Sequence, residues 1–149
     1  MEEIKKWTRR LLWEYGLLWV VAAALMAAFE CGWLEEGSLT GHARLEFGLE
    51  TAAILLTLLG IPLSLKLFSR RVVRLRTLPL LASLRAYHRL SLLRLSILAF
   101  IVWGNLLLYY TTVNSIGGLC ALLGCIASLF CVPGRRRLMN ELEITRRDE

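Results

Sequence analysis

The chain of 149 residues is apolar and basic, with 56% hydrophobic residues, a mean hydropathy of +0.55 and a formal net charge of +6. A soluble domain of this length has only one small core to fill, so the composition excludes an ordinary soluble protein and favours a membrane protein. The length allows one integral membrane domain over residues 1–149.

Four apolar segments follow one another along the chain. The first covers residues 15–34 and the second residues 51–68, and each has a single charged residue, near its end. Residues 95–134 contain no charged side chain, and one helix of that length would extend about 60 Å, twice the roughly 30 Å of a bilayer core. This stretch therefore predicts two spans, 95–112 and 116–132. The predicted fold is an all-α membrane protein, with four transmembrane helices in a compact bundle.

The charged residues alternate between the segments that flank the predicted spans. Every Lys and Arg except Arg44 lies before the first span, at or between the second and third, or after the fourth. The segment 30–50 instead carries five glutamates and one arginine. Because basic residues near span ends favour the cytoplasmic side, we expect both termini and the central connection in the cytoplasm. The short loops and marked charge bias suit a bacterial inner membrane.

The connection between the second and third spans is the most basic part of the chain. Residues 69–94 contain seven arginines and no acidic residue, and Pro79 divides them. In a helix that begins near Leu80, Tyr87 lies on the same face as several leucines, and Arg85 and Arg89 lie on the opposite face. This pattern predicts an amphipathic cytoplasmic helix, which either lies on the inner leaflet or leads into the third span. No nucleic-acid-binding fold surrounds these arginines, so nucleic acid is not an expected partner. The residues expected to contact anionic lipid headgroups are Arg70, Arg71, Arg74, Arg76, Arg85 and Arg89.

Small residues mark two candidate packing faces. Spacings of four and three residues align a stripe in the fourth span, which allows a neighbouring helix backbone to approach closely. This predicted helix-packing stripe consists of Gly117, Ala121, Gly124 and Ser128. A second smooth surface, in the first span, consists of Ala23, Ala24, Ala27 and Ala28. Each face is a candidate contact surface for a second copy in a homo-oligomer or for another membrane protein. In the second span, Gly60 and Pro62 predict a kink.

One strongly polar residue lies near a predicted midplane. Asn105, with Tyr109 and Thr112, forms a polar stripe along the outer half of the third span. Asn105 is expected to bond a neighbouring helix, and the alternative is that the stripe lines a small water-filled vestibule. Small multidrug exporters also have four short spans, but their membrane glutamate has no counterpart here, since Glu14 follows Arg10 too closely to lie deep in the bilayer.

No catalytic, cofactor-binding or metal-ligating residues are predicted. The four-helix membrane thiol oxidoreductases resemble this chain in size and span number, but they use a Cys-x-x-Cys pair, and no two cysteines here have that spacing. A pair between Cys31 and Cys120 stays open, and the cysteines are otherwise expected to act as small buried hydrophobic residues. His42 and Glu46 stand four apart, yet no second nitrogen or sulfur ligand lies nearby to complete a metal site.

The sequence therefore predicts a non-enzymatic, small polytopic inner-membrane protein without a cofactor. Its expected role is that of a structural or partner-binding membrane component with a basic cytoplasmic face. The alternative is a small oligomeric channel or transporter, although ion coupling usually requires an ionisable group deep in the membrane, and the predicted spans place none near their centres.

Overall fold

The computed structural model describes residues 2–142, and all regular structure in this range is helical. Three helices are long and apolar enough to cross a membrane, which confirms the predicted all-α class and membrane character. A fourth apolar helix has 15 residues, or about 22 Å, less than the roughly 30 Å of a bilayer core. The elements are α1 (Glu2–Glu30), α2 (Ala43–Leu75), α3 (Leu80–Thr112), α4 (Ser115–Leu129) and α5 (Arg135–Leu142). Arg146 and Arg147 of the charge pattern lie outside the described residues.

The long helices extend beyond most of the predicted span ends, but α1 ends at Glu30 and α4 at Leu129, short of the predicted ends at residues 34 and 132. α2 continues to Leu75 and α3 begins at Leu80, so only residues 76–79 separate them. Pro79 immediately precedes α3, where a residue without an N–H costs no intrahelical hydrogen bond. The basic connection is thus built from the ends of α2 and α3. Of the two arrangements expected for its helix, the structure has the one that leads directly into the apolar part of α3.

α3 is the central helix, because α1, α2 and α4 each pack against it. Gly60 of α2 faces this helix, since a Cβ at Gly60 would lie 2.8 Å from the Cδ1 atom of Ile101. α2 continues through Pro62 as one helix. Proline has no N–H, so the carbonyl of Leu58, four residues earlier, lacks its usual donor. Gly60 therefore allows close packing, and Pro62 interrupts the hydrogen-bond ladder on α2.

A hydrophobic cluster holds together one end of the bundle, which we call the basic end. It joins the first turns of α1 and α3, the last turns of α2, and α5. Burial of each large apolar side chain contributes about 1.5 to 3 kcal/mol relative to exposure, so this cluster fastens the short α5 to the long helices. Its buried members are Ile4, Leu11, Phe68, Val72, Leu75, Leu84, Tyr87, Leu138 and Leu142.

Residues 31–42 close the opposite end, which we call the acidic end. The backbone N–H of Gly37 donates to the carbonyl of Tyr110 at 2.9 Å, and that of Leu39 donates to the carbonyl of Thr111 at 3.2 Å. These bonds satisfy carbonyls in the last turn of α3, which have no partner within the helix. α3 ends at Thr112, and the next residue, Val113, has a φ of 53° in the left-handed region.

The outer surfaces of the helices are apolar along most of their length. Leu59 of α2, Phe100 of α3 and Leu119 of α4 are each more than 60% exposed. Soluble monomers rarely expose contiguous apolar patches larger than a few hundred Å². The exposed belt, together with three helices of spanning length, is the pattern of an integral membrane protein.

Candidate functional site

The small-residue stripe of α4 faces α3 of the same chain. A Cβ at Gly117 would lie 2.7 Å from the backbone nitrogen of Tyr109 and 2.9 Å from the carbonyl oxygen of Asn105. The two backbones are therefore in direct contact, and this stripe is not available to a second copy. All four predicted members are buried, namely Gly117, Ala121, Gly124 and Ser128.

The predicted polar stripe of α3 is divided between the interior and the surface. Asn105 is 1% exposed, and its Nδ2 donates to Thr57 Oγ1 of α2 at 3.0 Å and to the carbonyl of Ile101 at 2.8 Å. Thr112 is buried and donates its hydroxyl hydrogen to the carbonyl of Leu108. Tyr109 is 39% exposed. Asn105 thus links α3 to α2, whereas Tyr109 lies on the outside.

The arginines predicted to contact lipid headgroups surround the basic end. Arg76 differs from the others, because it is half-buried and its Nε donates to the carbonyl of Glu141 in α5 at 3.0 Å. The other members of the set therefore form the accessible cationic surface. These exposed residues are Arg70, Arg71, Arg74, Arg85 and Arg89.

A cavity of about 280 Å³ lies inside the basic end, between α2, α3 and α5. We call it the arginine cavity, after Arg76, Arg94 and Arg137, which line it together with Glu141 and Phe68. The Arg94 side chain is 5% exposed, and its guanidinium carbon lies 3.8 Å from the centre of the Phe68 ring. This distance is well within the range of a cation–π interaction.

Arg94 is incompletely hydrogen-bonded. Its Nη2 donates to the carbonyl of Cys131 at 3.5 Å, the long limit for a hydrogen bond. Its Nη1 is buried and has no hydrogen-bond partner within residues 2–142. A buried donor without an acceptor costs free energy, and more so when it carries charge. The cavity therefore contains a guanidinium group with one nitrogen, Nη1, that lacks an acceptor within the described residues.

Glu141 organises the other side of the arginine cavity. Its Oε2 accepts a hydrogen bond of 2.6 Å from the Tyr87 hydroxyl, and its Oε1 accepts one of 2.8 Å from Arg137 Nε. Burial lowers the pKa of the Arg137 guanidinium, but the hydrogen bond to Glu141 and its negative charge outweigh burial and raise that pKa above its ordinary value. Of the arginines that line the cavity, Arg137 is the one that bonds this carboxylate directly, within the described residues.

The sequence pattern does not predict this cavity. By charge alone Arg94 belongs with the other basic residues of the connection, and it is the last charged residue before the long uncharged stretch. Tyr87 and Arg94 are seven residues apart, two helical turns on one face of α3. Arg137 and Glu141 have the i, i+4 spacing of a helical ion pair. These spacings are signals in the sequence, but they do not show that Glu141 of α5 contacts Tyr87 of α3.

A second polar contact joins α1 to α3. His88 Nε2 lies 3.1 Å from Glu14 Oε1, and the two side chains are 14% and 30% exposed. The His88 ring also packs on Trp7, with ring centroids 5.0 Å apart. Glu14 therefore lies near the basic end, partly accessible, and pairs with a residue far away in the chain.

The remaining candidates stay separate in the structure. All four cysteines are free thiols, with Cys31 exposed and Cys120 buried, so the pair left open between them is not formed. His42 is exposed at the start of α2. No cluster of three or more His, Cys, Asp or Glu side chains suited to a metal ion occurs in the part of the chain that the structure describes. No protein-family model, curated protein or solved structure matches the chain.

Proposed function

We propose that this protein is a non-enzymatic structural or partner-binding component of a bacterial inner membrane, with its basic end in the cytoplasm. The separation of charge along the bundle supports this proposal. Exposed arginines surround one end, residues 30–50 at the other end carry five glutamates against one arginine, and an apolar belt lies between the two ends. Basic residues favour the cytoplasmic side of a span, and the same arginines are suited to hold anionic headgroups.

We also propose that α4 is a fourth transmembrane span. Its first turn contacts α3 at Asn105 and Tyr109, and the carbonyl of Cys131, just beyond its end, accepts a hydrogen bond from Arg94. α4 therefore runs beside α3 from near the acidic end to Arg94. Arg94 and Thr112 are 18 residues apart, or about 27 Å along a helix, close to the thickness of a bilayer core.

The exposed alanines of α1 are the proposed association surface. α1 packs chiefly against α3, and Ala23, Ala24 and Ala27 remain exposed on its outer side. Gly16 continues this surface, since no atom lies within 4 Å of the position of a Cβ there. Small residues allow a second helix to approach closely, which drives association where lipid supplies no hydrophobic force. A second copy or another membrane protein is the proposed partner.

Ala27→Leu is expected to weaken self-association in lipid nanodiscs or vesicles by about tenfold, because the larger side chain holds the partner helix away. Energy transfer between labelled copies, measured over a range of protein-to-lipid ratios, reports this change. Ala52→Leu is the matched control, because Ala52 is an exposed alanine of α2 outside the proposed surface. A wild-type chain that stays monomeric at every ratio, and that co-purifies with no membrane protein, would contradict a partner-binding role.

Topology reporters provide a test of orientation and span number. A reporter fused after Gly41, at the acidic end, is expected to read periplasmic, and reporters fused after Pro79 or Glu149 are expected to read cytoplasmic. The physical reason is the accumulation of arginine at the basic end. A periplasmic signal after Glu149 would reject the four-span arrangement, and a periplasmic signal after Pro79 would reject the orientation.

A further inference from the structure

We infer that the arginine cavity and an apolar groove beside it form one site for a single anionic phospholipid, with the phosphate in the cavity and an acyl chain in the groove. This inference rests on the proposed membrane location, and it adds a defined site to the general contact between exposed arginines and headgroups. Three observations support it: the incomplete bonding of Arg94, the charge of the cavity, and the position of an apolar groove that shares Leu65 with the cavity.

The first observation is the unpartnered donor of Arg94. A guanidinium presents its N–H groups in a planar fork that matches two oxygens of a phosphate. Arg94 is 95% buried, and its Nη1 lacks an acceptor within residues 2–142. A phosphate oxygen in the cavity would supply that acceptor, and it would also offset the cost of burying the charge.

The second observation is the charge balance of the cavity. Among the described residues, Arg76, Arg94 and Arg137 line it together with the carboxylate of Glu141. Glu141 pairs with Arg137, so the charge of Arg94 is available to a phosphodiester, which carries one negative charge. Arg137 is already oriented, because its Nε donates to Glu141 and its Nη1 donates to the carbonyl of Phe130. Oriented donors lose little side-chain freedom when an anion binds.

The third observation is an apolar groove of about 370 Å³ between α2 and α4. Leu65 lines both this groove and the arginine cavity, and Phe130 in the groove accepts the hydrogen bond from Arg137. The two spaces therefore adjoin. The groove is defined by Leu58, Ile61, Pro62, Leu65, Leu123 and Phe130.

The dimensions of the groove favour a lipid over a free phosphate. From Leu58 to Leu65 the groove follows about 10 Å of α2, a large part of the roughly 15 Å that one leaflet contributes to the core. The groove leads from the arginine cavity towards Thr57. Thr57 lies at the same depth in the bundle as Asn105, because the two side chains are hydrogen-bonded. An acyl chain would lie in this groove while its phosphate stays near Arg94.

Lipid retention by the purified full-length chain tests the inference. The protein is delipidated in mild detergent and offered phosphatidylglycerol or phosphatidylcholine with identical acyl chains, and bound lipid is counted by native mass spectrometry. We expect one phosphatidylglycerol per chain and at least tenfold weaker retention of phosphatidylcholine. Equal retention of the two lipids would overturn the inference. Inorganic phosphate that displaces phosphatidylglycerol at millimolar concentration would instead indicate a simple anion site and would overturn the lipid assignment.

Two variants separate the cavity from the groove. Arg94→Gln is expected to reduce phosphatidylglycerol retention at least tenfold, whereas Arg44→Gln, at the acidic end, is expected to leave it unchanged. Leu123→Trp fills the groove and is expected to reduce retention of phosphatidylglycerol, whereas Leu119→Trp, exposed elsewhere on α4, is not. If Arg94→Gln does not fold, phosphatidylglycerol retention by Leu123→Trp alone tests the inference. Wild-type retention in Leu123→Trp would reject the groove, and the topology and association results would still stand.

Discussion

Replacing Gly117 with leucine is expected to separate α3 from α4 and to destabilise the bundle by about 3 kcal/mol or more. Even the Cβ of an alanine would lie 2.7 Å from the backbone nitrogen of Tyr109, and backbone cannot move aside as a flexible side chain can. Overpacking a filled interior costs about 1 to 3 kcal/mol, occasionally more. Displacement of α4 would also sacrifice the close contact that drives association of membrane helices. Thermal melting in one detergent measures the effect.

Two comparisons make the Gly117 result specific. Gly124→Leu is expected to cost less, because its nearest neighbour is the Cγ2 atom of Val102, at 2.9 Å, and a side chain can adjust. Gly104→Ala is the control in α3, since nothing lies within 4 Å of a Cβ there. Alanine is also the better helix former, so this change is expected to be neutral or slightly stabilising. Equal melting temperatures for Gly117→Leu and Gly104→Ala would contradict the close backbone contact.

Asn105→Leu is expected to destabilise the bundle by about 0.6 to 2 kcal/mol, the range for hydrogen bonds between membrane helices. The substitution removes the bond from Asn105 Nδ2 to Thr57 Oγ1. Thr57→Val removes the same bond from the other side, so the double variant should lose less stability than the sum of the two single variants. Unfolding in mixed detergent micelles provides the three free energies. Strict additivity would show that the bond contributes nothing.

The same substitution separates the proposed structural role from the channel or transporter alternative. If Asn105 lined a pore, Asn105→Leu would leave the melting curve nearly unchanged, but flux would fall, because a hydrophobic constriction excludes water. Ion or solute flux from vesicles that contain the wild-type or the variant protein measures this directly. A strong wild-type flux that Asn105→Leu abolishes, without a change in melting, would favour the conduit over the proposed function.

The sequence by itself determined the class of the protein and the face of α4 that packs. Where the uncharged stretch of residues 95–134 crosses lipid, its backbone groups must bond to one another, as they do in a helix, because the bilayer core offers no water. The stretch must also turn, because a single helix of that length would be twice too long. The recurrence of Gly117 and Gly124 identified the buried side of α4, since only small residues allow backbones to touch.

The tertiary structure alone decided which partners these residues have. The stripe of α4 could have faced a second copy, and it contacts α3 of its own chain. In the sequence, Arg94 is one arginine among several, and only the structure shows that Phe68 and the carbonyl of Cys131 contact it. Only the structure shows that Glu141 of α5 bonds Tyr87 of α3. These contacts join residues 26 to 54 positions apart. Local periodicity shows which side of a helix is apolar, but the packing of distant helices determines what that side contacts.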